Sequence, residues 1–385
     1  MDLSFLPEEE RFRRDVKEFI AARLDPLTRR KLEEGRVPSK PEIVAWQRTL
    51  NEHHWATPSW PSNHGGPGWS PVQRYIFLDE LHQAPAPEPV SFNVAMIGPV
   101  LIEYGSPAQQ ERFLEPTANL DIWWAQGFSE PGAGSDLAAV RTSARREGTD
   151  FVITGHKMWQ GMAHHADWMF TLVRSDPLAV RKQAGLSFLL IDLTSPGVTV
   201  RPIITADGRH DVNEVFLDEV RVPADCLVGA ENGGWGITKY LLSNERSNIA
   251  RIGMTKQLVK RVKRLARGNM TILRAAARIE AELKILEITQ LRVLDGQRHS
   301  ATPDPRSSIL KLKGVELRQR ASELLVKAAG PAALEVRNDD EPFGADDEDW
   351  IGAILPNYTI LRAASIYGGS SEVQKDILAK GVLGL

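Results

Sequence analysis

Phe128-Ser129-Glu130-Pro131-Gly132-Ala133-Gly134-Ser135-Asp136 is the stretch that organises the reading of this chain. Pro131, Gly132 and Gly134 predict a tight turn whose backbone approaches a ligand closely, since glycine carries no Cβ to obstruct it. Ser129, Ser135 and Asp136 add short hydrogen-bonding side chains to that turn. Further on stands Gly155-His156-Lys157-Met158-Trp159, read as a turn between extended segments that carries a large planar ring. Amides and hydroxyls followed by an aromatic plate suit a flat, polar cofactor.

Working outward, hydrophobic periodicity separates three segments. Phe12, Val16, Phe19 and Ile20 fall at helical spacing over residues 8–24. Trp46, Leu50 and Trp55 suggest a second helix. Pro71 opens another through Tyr75, Leu78 and Leu81, at a first-turn position that proline tolerates. Residues 95–104 and 107–114 are short helical candidates. From about residue 123 the period changes. Segments 150–154, 168–173, 186–193, 198–204 and 214–222 alternate or are β-prone, and Gly, Pro, Asp and Ser bound them. They predict a small antiparallel barrel or sandwich. Helical periodicity returns over 237–265, 271–294 and 307–329, and a last helix follows Gly368-Gly369. The acidic stretch Arg337 to Asp349 reads as a loop. The fold class expected is therefore α+β, with helical residues 1–122, a central β domain over 123–230 and a helical bundle over 231–385.

Composition bounds the function. At 385 residues with 42% hydrophobic and 25% charged residues, the chain has the make-up of a globular protein with a sizeable core. A formal charge of −3 gives no reason to expect a nucleic acid or another polyanion. One cysteine, Cys226, excludes an intrachain disulfide framework and fits a reducing compartment. No signal peptide, transit peptide or apolar run of membrane-spanning length is evident, so a cytoplasmic protein is expected.

Taken together, these blocks resemble the flavin-dependent acyl-CoA dehydrogenase family. Ser129 to Asp136 followed by Gly155 to Trp159 is similar to that family's middle domain. The likeness continues through Asn213-Glu214-Val215-Phe216-Leu217-Asp218-Glu219-Val220-Arg221-Val222-Pro223, Asn244-Glu245-Arg246 and Tyr367-Gly368-Gly369-Ser370-Ser371-Glu372-Val373-Gln374. Several blocks in a fixed order are more specific than one glycine-rich loop. His82-Gln83-Ala84-Pro85-Ala86-Pro87-Glu88 and Leu241-Leu242-Ser243-Asn244-Glu245-Arg246 look most like the pimeloyl-CoA dehydrogenase large-subunit branch.

The resemblance implies α,β-dehydrogenation of an acyl-CoA, with FAD as hydride acceptor and an electron-transfer flavoprotein as onward partner. It also implies the usual division of the fold into a helical domain, a β-barrel domain and a four-helix bundle, assembled as a homo- or hetero-oligomer (dimer or tetramer). The family's base is a carboxylate in one of two places in sequence. One directly follows the tyrosine of the C-terminal glycine-rich loop, here Gly368, which cannot serve. The other precedes an arginine on the first long helix of the C-terminal domain, here Glu245 before Arg246. Without the resemblance, a surface ion pair on a charged helix is the simpler account of these two.

Carry-over places Ser129 at the flavin's pyrimidine edge and Trp159 against the ring, with Phe128, Gly134 and Gly161 as further cofactor contacts. Ser135, Arg246 and Gly368 border the substrate. Gly369, Ser370 and Glu372 match the loop that meets the ribityl and phosphate region. A packed tryptophan and a helix-terminating glycine pair are the alternatives for Trp159 and Gly369.

Two departures stand out. Where relatives carry a threonine two residues after the tryptophan, this chain has Gly161. Many relatives carry Arg-x-x-Phe-Gly for the adenine end of a neighbouring subunit's FAD, and Arg267-Gly268-Asn269-Met270-Thr271 lacks it. A heteromeric assembly, or a subunit that only supports a partner's flavin site, follows as an alternative. An oxygen-reactive flavin oxidase or monooxygenase of the same fold is another. His164-His165 shows no ligand partner at suitable spacing, so no metal site is assigned and a solvated loop pair is expected. Lys260-Arg261-Val262-Lys263-Arg264 reads as a solvated helix face.

Overall fold

The computed structural model describes residues 5–245, 250–297, 304–335 and 349–385. In chain order the helices are α1 (Pro7–Arg23), α2 (Pro26–Glu34), α3 (Lys40–Asn51), α4 (Pro71–Gln83), α5 (Gly98–Tyr104), α6 (Pro107–Ala118), α7 (Gly234–Glu245), α8 (Ile252–Ala266), α9 (Met270–Gln297), α10 (Ser307–Ala329), α11 (Ile354–Ile360) and α12 (Ser371–Leu378). The strands are β1 (Trp124–Gly127), β2 (Ser143–Glu147), β3 (Asp150–Gly161), β4 (Trp168–Arg174), β5 (Leu186–Asp192), β6 (Val198–Ile203), β7 (Val212–Pro223) and β8 (Leu227–Val228). Helical segments flanking a sheet segment make this an α+β protein.

The chain divides into two compact units, one of residues 1–46, 69–88 and 246–385, the other of 47–68 and 89–245, with the division falling inside α3. The first unit is helical. Its main core gathers Val259 and Val262 of α8, Ile279, Leu283 and Leu286 of α9, Leu310, Leu317 and Leu325 of α10, and Ile354 of α11. Each such side chain taken from water contributes roughly 1.5–3 kcal/mol. Local chemistry sets the helix starts. Ser70 and Gln73 exchange side-chain hydrogen bonds with each other's backbone at 3.2 and 3.0 Å, with Pro71 in the first turn of α4.

The sequence predicts one helix from Ile237 to Leu265, but the described chain is not helical at Ala250 and Arg251, and α8 begins at Ile252. Arg251 has a left-handed φ of 46°, which no continuing α-helix accepts. Gly314 of α10 explains where the restart sits, because a Cβ there would meet the Ala250 carbonyl oxygen at 2.6 Å. Arg261 departs from the solvated face expected of Lys260 to Arg264. Its guanidinium donates to the Leu32 carbonyl at 3.2 Å and to that of Glu33, covering acceptors at the C-terminus of α2. Burial draws its pKa down to about 10. The acidic stretch Arg337 to Glu348 lies outside the described residues.

The second unit is built on an eight-stranded sheet ordered β6-β7-β3-β2-β4-β5-β8, with β1 added on β4. Most pairs are antiparallel, as the sequence predicts, but β1 runs parallel to β4 and a single β2–β4 bridge is also parallel. The hydrogen-bonded path is open from β6 to β8. Trp124, Phe128, Phe151, Phe170, Phe188 and Leu190 fill its core, with Phe113 and Leu114 of α6. The segment read as a turn at Gly155–Trp159 lies inside β3, which is bulged twice, at Ile153/Gly155 and at Met158/Gln160. Gly155 is required there, since a Cβ would strike the Thr142 hydroxyl at 2.3 Å.

Candidate functional site

In the sheet unit, the glycine-rich turn closes on itself through reciprocal Glu130–Ala133 backbone hydrogen bonds of 3.1 and 3.0 Å. Gly132, Gly134 and Ser135 are exposed, and a Cβ on either glycine would meet no atom within 4 Å. The turn therefore offers bare backbone to the outside. Phe128 points the other way, edge-on to Phe170 and Phe188 at 5.9 and 6.1 Å, so only its main chain is available to a ligand. Ser129 is half-buried, its carbonyl accepting from the Met158 amide at 2.9 Å, and its hydroxyl has no partner among the described residues.

Trp159 is the outlier of this region. It sits at the second bulge of β3 with φ +70° and leaves 56% of its surface exposed. A non-glycine residue held at left-handed φ costs on the order of 1 kcal/mol, and an exposed indole forgoes burial as well. More than half of the indole is left uncovered, a surface on which a flat ligand can lie. This donor set and bare platform fit the isoalloxazine part of FAD.

Gly161 closes β3, pairing with Val212. A Cβ there would sit 2.9 Å from the Phe92 ring, so Phe92 of the π-helical turn Phe92–Ile97 occupies the space that a threonine side chain needs. Beyond it, Met162 turns with φ 56°, and the His164-His165 pair is not merely solvated. His210 comes within 4.1 Å of His164, ring to ring. The buried Asn213 donates to His164 Nδ1 at 3.2 Å and accepts from His210 Nε2 at 2.7 Å. Sequence spacing hides His210, which the β6–β7 connection brings back.

Cys226 is buried, and burial pushes its thiol up to about 12, which keeps it protonated and unreactive. Glu245 is the last residue of α7; its side chain, and the whole of Arg246, lie outside the described residues.

In the helical unit, Gly368 and Gly369 take φ 64° and 85°, a left-handed pair leading into α12. Gly369 is held by space as well, because a Cβ would meet the Gln374 amide at 2.4 Å. Gln374, buried, donates to the Gly368 carbonyl at 3.3 Å. The Ser370 hydroxyl accepts from the Val373 amide at 3.4 Å and so caps α12, while Glu372 stands exposed in its first turn.

The approach to this loop is charged in a way the sequence does not announce. The buried Lys311 donates to the Tyr367 carbonyl and lies 5.2 Å over its ring. Arg318, also buried, lies within electrostatic reach of Tyr367 and Glu88. Glu88 accepts from His82 at 2.6 Å and pairs with Arg251 at 3.4 Å. Burial opposes its ionisation, but Arg251, His82 and Arg318 overcome that and hold the carboxyl far below its usual range.

Comparison with known proteins follows this layout. Profiles for the N-terminal, middle and C-terminal domains of acyl-CoA dehydrogenases match residues 6–121, 125–220 and 232–383. The acyl-CoA dehydrogenase IpdE1 of Mycobacterium tuberculosis is 36% identical, over 89% of this chain and 88% of that protein. FadE29 of the same organism is 31% identical over 98% of this chain and 97% of its own length. Among solved structures, the ChsE4-ChsE5 complex from Mycobacterium tuberculosis superposes with a TM-score of 0.86 at 30% identity, covering 100% of this chain and 99% of that one. The Tcur3481-Tcur3483 steroid ACAD does so with 0.88 at 29% and the same coverage. The chain belongs to the acyl-CoA dehydrogenase family, FAD-dependent oxidoreductases that act on a CH–CH bond of an acyl-CoA thioester.

Proposed function

We propose that this chain oxidises a bulky, steroid-derived acyl-CoA to its trans-2-enoyl-CoA, as one subunit of a heteromeric assembly. The observation that carries the flavin part is Trp159, an indole kept exposed on a strained bulge; the neighbouring Met158 amide donates to the Ser129 carbonyl, and the Ser129 hydroxyl has no partner among the described residues. FAD, when bound, supplies the acceptor for the hydride leaving Cβ. Glu245 takes the α hydrogen as H⁺, whose bonding pair stays behind to form the C=C bond, while the β hydrogen leaves with its own pair as H⁻, so electrons balance. A carboxylate beside apolar flavin and acyl surface has its pKa raised toward working pH, which suits a general base. Arg246, Ser135 and Gly368 border the thioester. Gly368, placed after Tyr367, has no side chain and so leaves the base function to the helix.

Ser129 and the Phe128 and Gly134 backbone would hold the pyrimidine side of the cofactor, Trp159 its ring, and the Gly161 amide its reacting edge. Gly369, Ser370 and Glu372 take the ribityl and phosphate end. The domain boundaries proposed are 1–122, 123–230 and 231–385. The electrons pass onward to an electron-transfer flavoprotein, and the assembly works in the cytoplasm. The lone buried cysteine and the lack, among described residues, of any helix long and apolar enough to cross a membrane support that location.

The steroid-derived acyl group and the second subunit are drawn from two similar solved structures, a steroid ACAD and the ChsE4-ChsE5 complex. The absent Arg-x-x-Phe-Gly motif points the same way, because a partner must then supply the adenine-end contact. Co-expression with candidate partner subunits, followed by mass analysis of a panel of acyl-CoAs, tests the reading. The expected result is loss of two hydrogens from a steroid-derived thioester only. Turnover confined to short linear thioesters would contradict the substrate, and turnover by the isolated chain would contradict the partner.

A further inference from the structure

The sheet unit contains a buried ion pair that the proposed chemistry does not use. Lys157 is fully buried in β3, and its ammonium donates to Glu130 Oε1 at 2.9 Å, to the Leu172 carbonyl at 2.7 Å and to the Phe128 carbonyl at 3.2 Å. Glu130 also accepts from the Arg141 amide at 2.7 Å, the Thr142 amide at 2.9 Å and the Thr142 hydroxyl at 2.6 Å. These bonds tie three separated pieces of backbone together at the foot of the glycine-rich turn. A methionine or leucine at this place would fill the core without the desolvation cost of an ammonium. Holding position is what the charge adds.

The position concerned is the Ser129–Trp159 pair. Phe128 immediately precedes Ser129, and Lys157 lies on β3 just before the bulge. Ser129's carbonyl takes the Met158 amide at 2.9 Å and the Gln160 side chain at 3.4 Å, one on each side of Trp159. A residue held at left-handed φ persists only where its surroundings over-determine it.

We propose that Lys157 and Glu130 act together as a positioning clamp that fixes the Ser129 backbone against the Trp159 bulge, so that hydroxyl and indole meet one flat ligand. This rests on the flavin reading above. Burial draws the Lys157 ammonium down to about 8, while Lys157 and Thr142 hold Glu130 below the usual carboxylate range against its own burial.

The test replaces both charges, Glu130→Gln with Lys157→Met, which leaves no single buried ion and preserves volume. Lys157→Met alone and Ile191→Ala, a core truncation elsewhere in the same sheet, are the controls. Amide exchange is read at the 128–136 and 155–161 peptides of cofactor-free protein, and FAD affinity is read by flavin fluorescence on the chain with its partner. The clamp predicts exchange of the Met158 amide faster by about tenfold or more, and FAD Kd weaker by about tenfold, in the double variant but not in Ile191→Ala. A folded double variant with unchanged Met158 exchange overturns the clamp, whatever its affinity, and faster exchange with unchanged Kd overturns its role in presenting the ligand. Faster exchange in a protein whose wild type takes up no FAD upholds the clamp and refutes the flavin reading instead.

Discussion

Placing threonine at position 161 tests whether Phe92 fills the room that a side chain there needs. A Cβ on Gly161 falls 2.9 Å from Phe92 Cζ and 3.2 Å from Cε2, inside the ordinary contact distance, and threonine adds two further heavy atoms in that direction. Phe92 is packed against the sheet core, so it moves only by displacing neighbours. Overpacking of this kind costs roughly 1–3 kcal/mol, and the better strand propensity of threonine returns up to about 1 kcal/mol. Gly161→Thr is therefore expected to destabilise the chain by about 1–2 kcal/mol, a shift in melting temperature of a few degrees, ~2–4 °C. Phe92→Ala removes the obstruction at its own cost of about 2–3 kcal/mol for a partly buried ring. The two changes together should cost less than their sum by about 1 kcal/mol or more, and that coupling is the quantity to measure, by urea unfolding of all four proteins. A Gly161→Thr variant as stable as wild type, or a coupling of zero, would refute the idea that Phe92 holds the threonine's place.

Replacing Trp159 by glycine should raise the stability of cofactor-free chain by about 1 kcal/mol, through relief of the left-handed φ, while weakening FAD by about tenfold or more. Paired thermal melts and fluorescence titrations would show it, and a destabilised variant would mean the indole is structural packing. Glu88→Gln removes the carboxylate that Arg251 and Arg318 face and should cost about 3 kcal/mol in denaturant unfolding. An unchanged midpoint would remove Glu88 from the network. Burial pushes the Glu287 carboxyl up, yet hydrogen bonds from Tyr75 at 2.6 Å, Lys256 at 2.9 Å and Lys284 at 3.0 Å more than reverse this, holding it at about 2. Its folded pKa lies below the ordinary 4.5, so the unfolded chain binds more protons between those values. Its contribution, about 3 kcal/mol, is present above 4.5 and lost as pH falls toward 2. Acid unfolding followed by circular dichroism should lose that limb in Glu287→Gln, and an identical profile would count against it.

What was legible in sequence followed the strength of local signals. Ser307–Ala329 is a helix over the span its periodicity predicts, and α4 and α12 start where Ser70-Pro71 and Ser370 place their caps. The glycine-rich block and the Trp159 plate are local features, and their surroundings follow from the chain near them. Short elements carry too little pattern: β8 has two residues, and β2 is Ser-Ala-Arg-Arg-Glu with one buried position. Nothing in the apolar period marks the restart at α8. That restart depends on Arg251 and on the close approach at Gly314. Lys157 and Glu130 are 27 residues apart and meet only because β3 returns beneath the turn. Glu88 meets Arg251 and Arg318, and Asn213 meets His164, for the same reason. No periodicity records contacts of that kind.

Removal of the α proton of an acyl-CoA by Glu245, in a flavin site built on Ser129 and Trp159, is what we propose. The most direct measurement is an anaerobic visible spectrum of the purified chain, with whatever subunit accompanies it, during titration with a panel of acyl-CoAs. A flavin band that one bulky thioester bleaches is expected, with no bleaching in Glu245→Gln although its FAD content is unchanged. Bleaching in Glu245→Gln at the wild-type rate would contradict it, as would a protein that stays colourless with FAD and partner supplied.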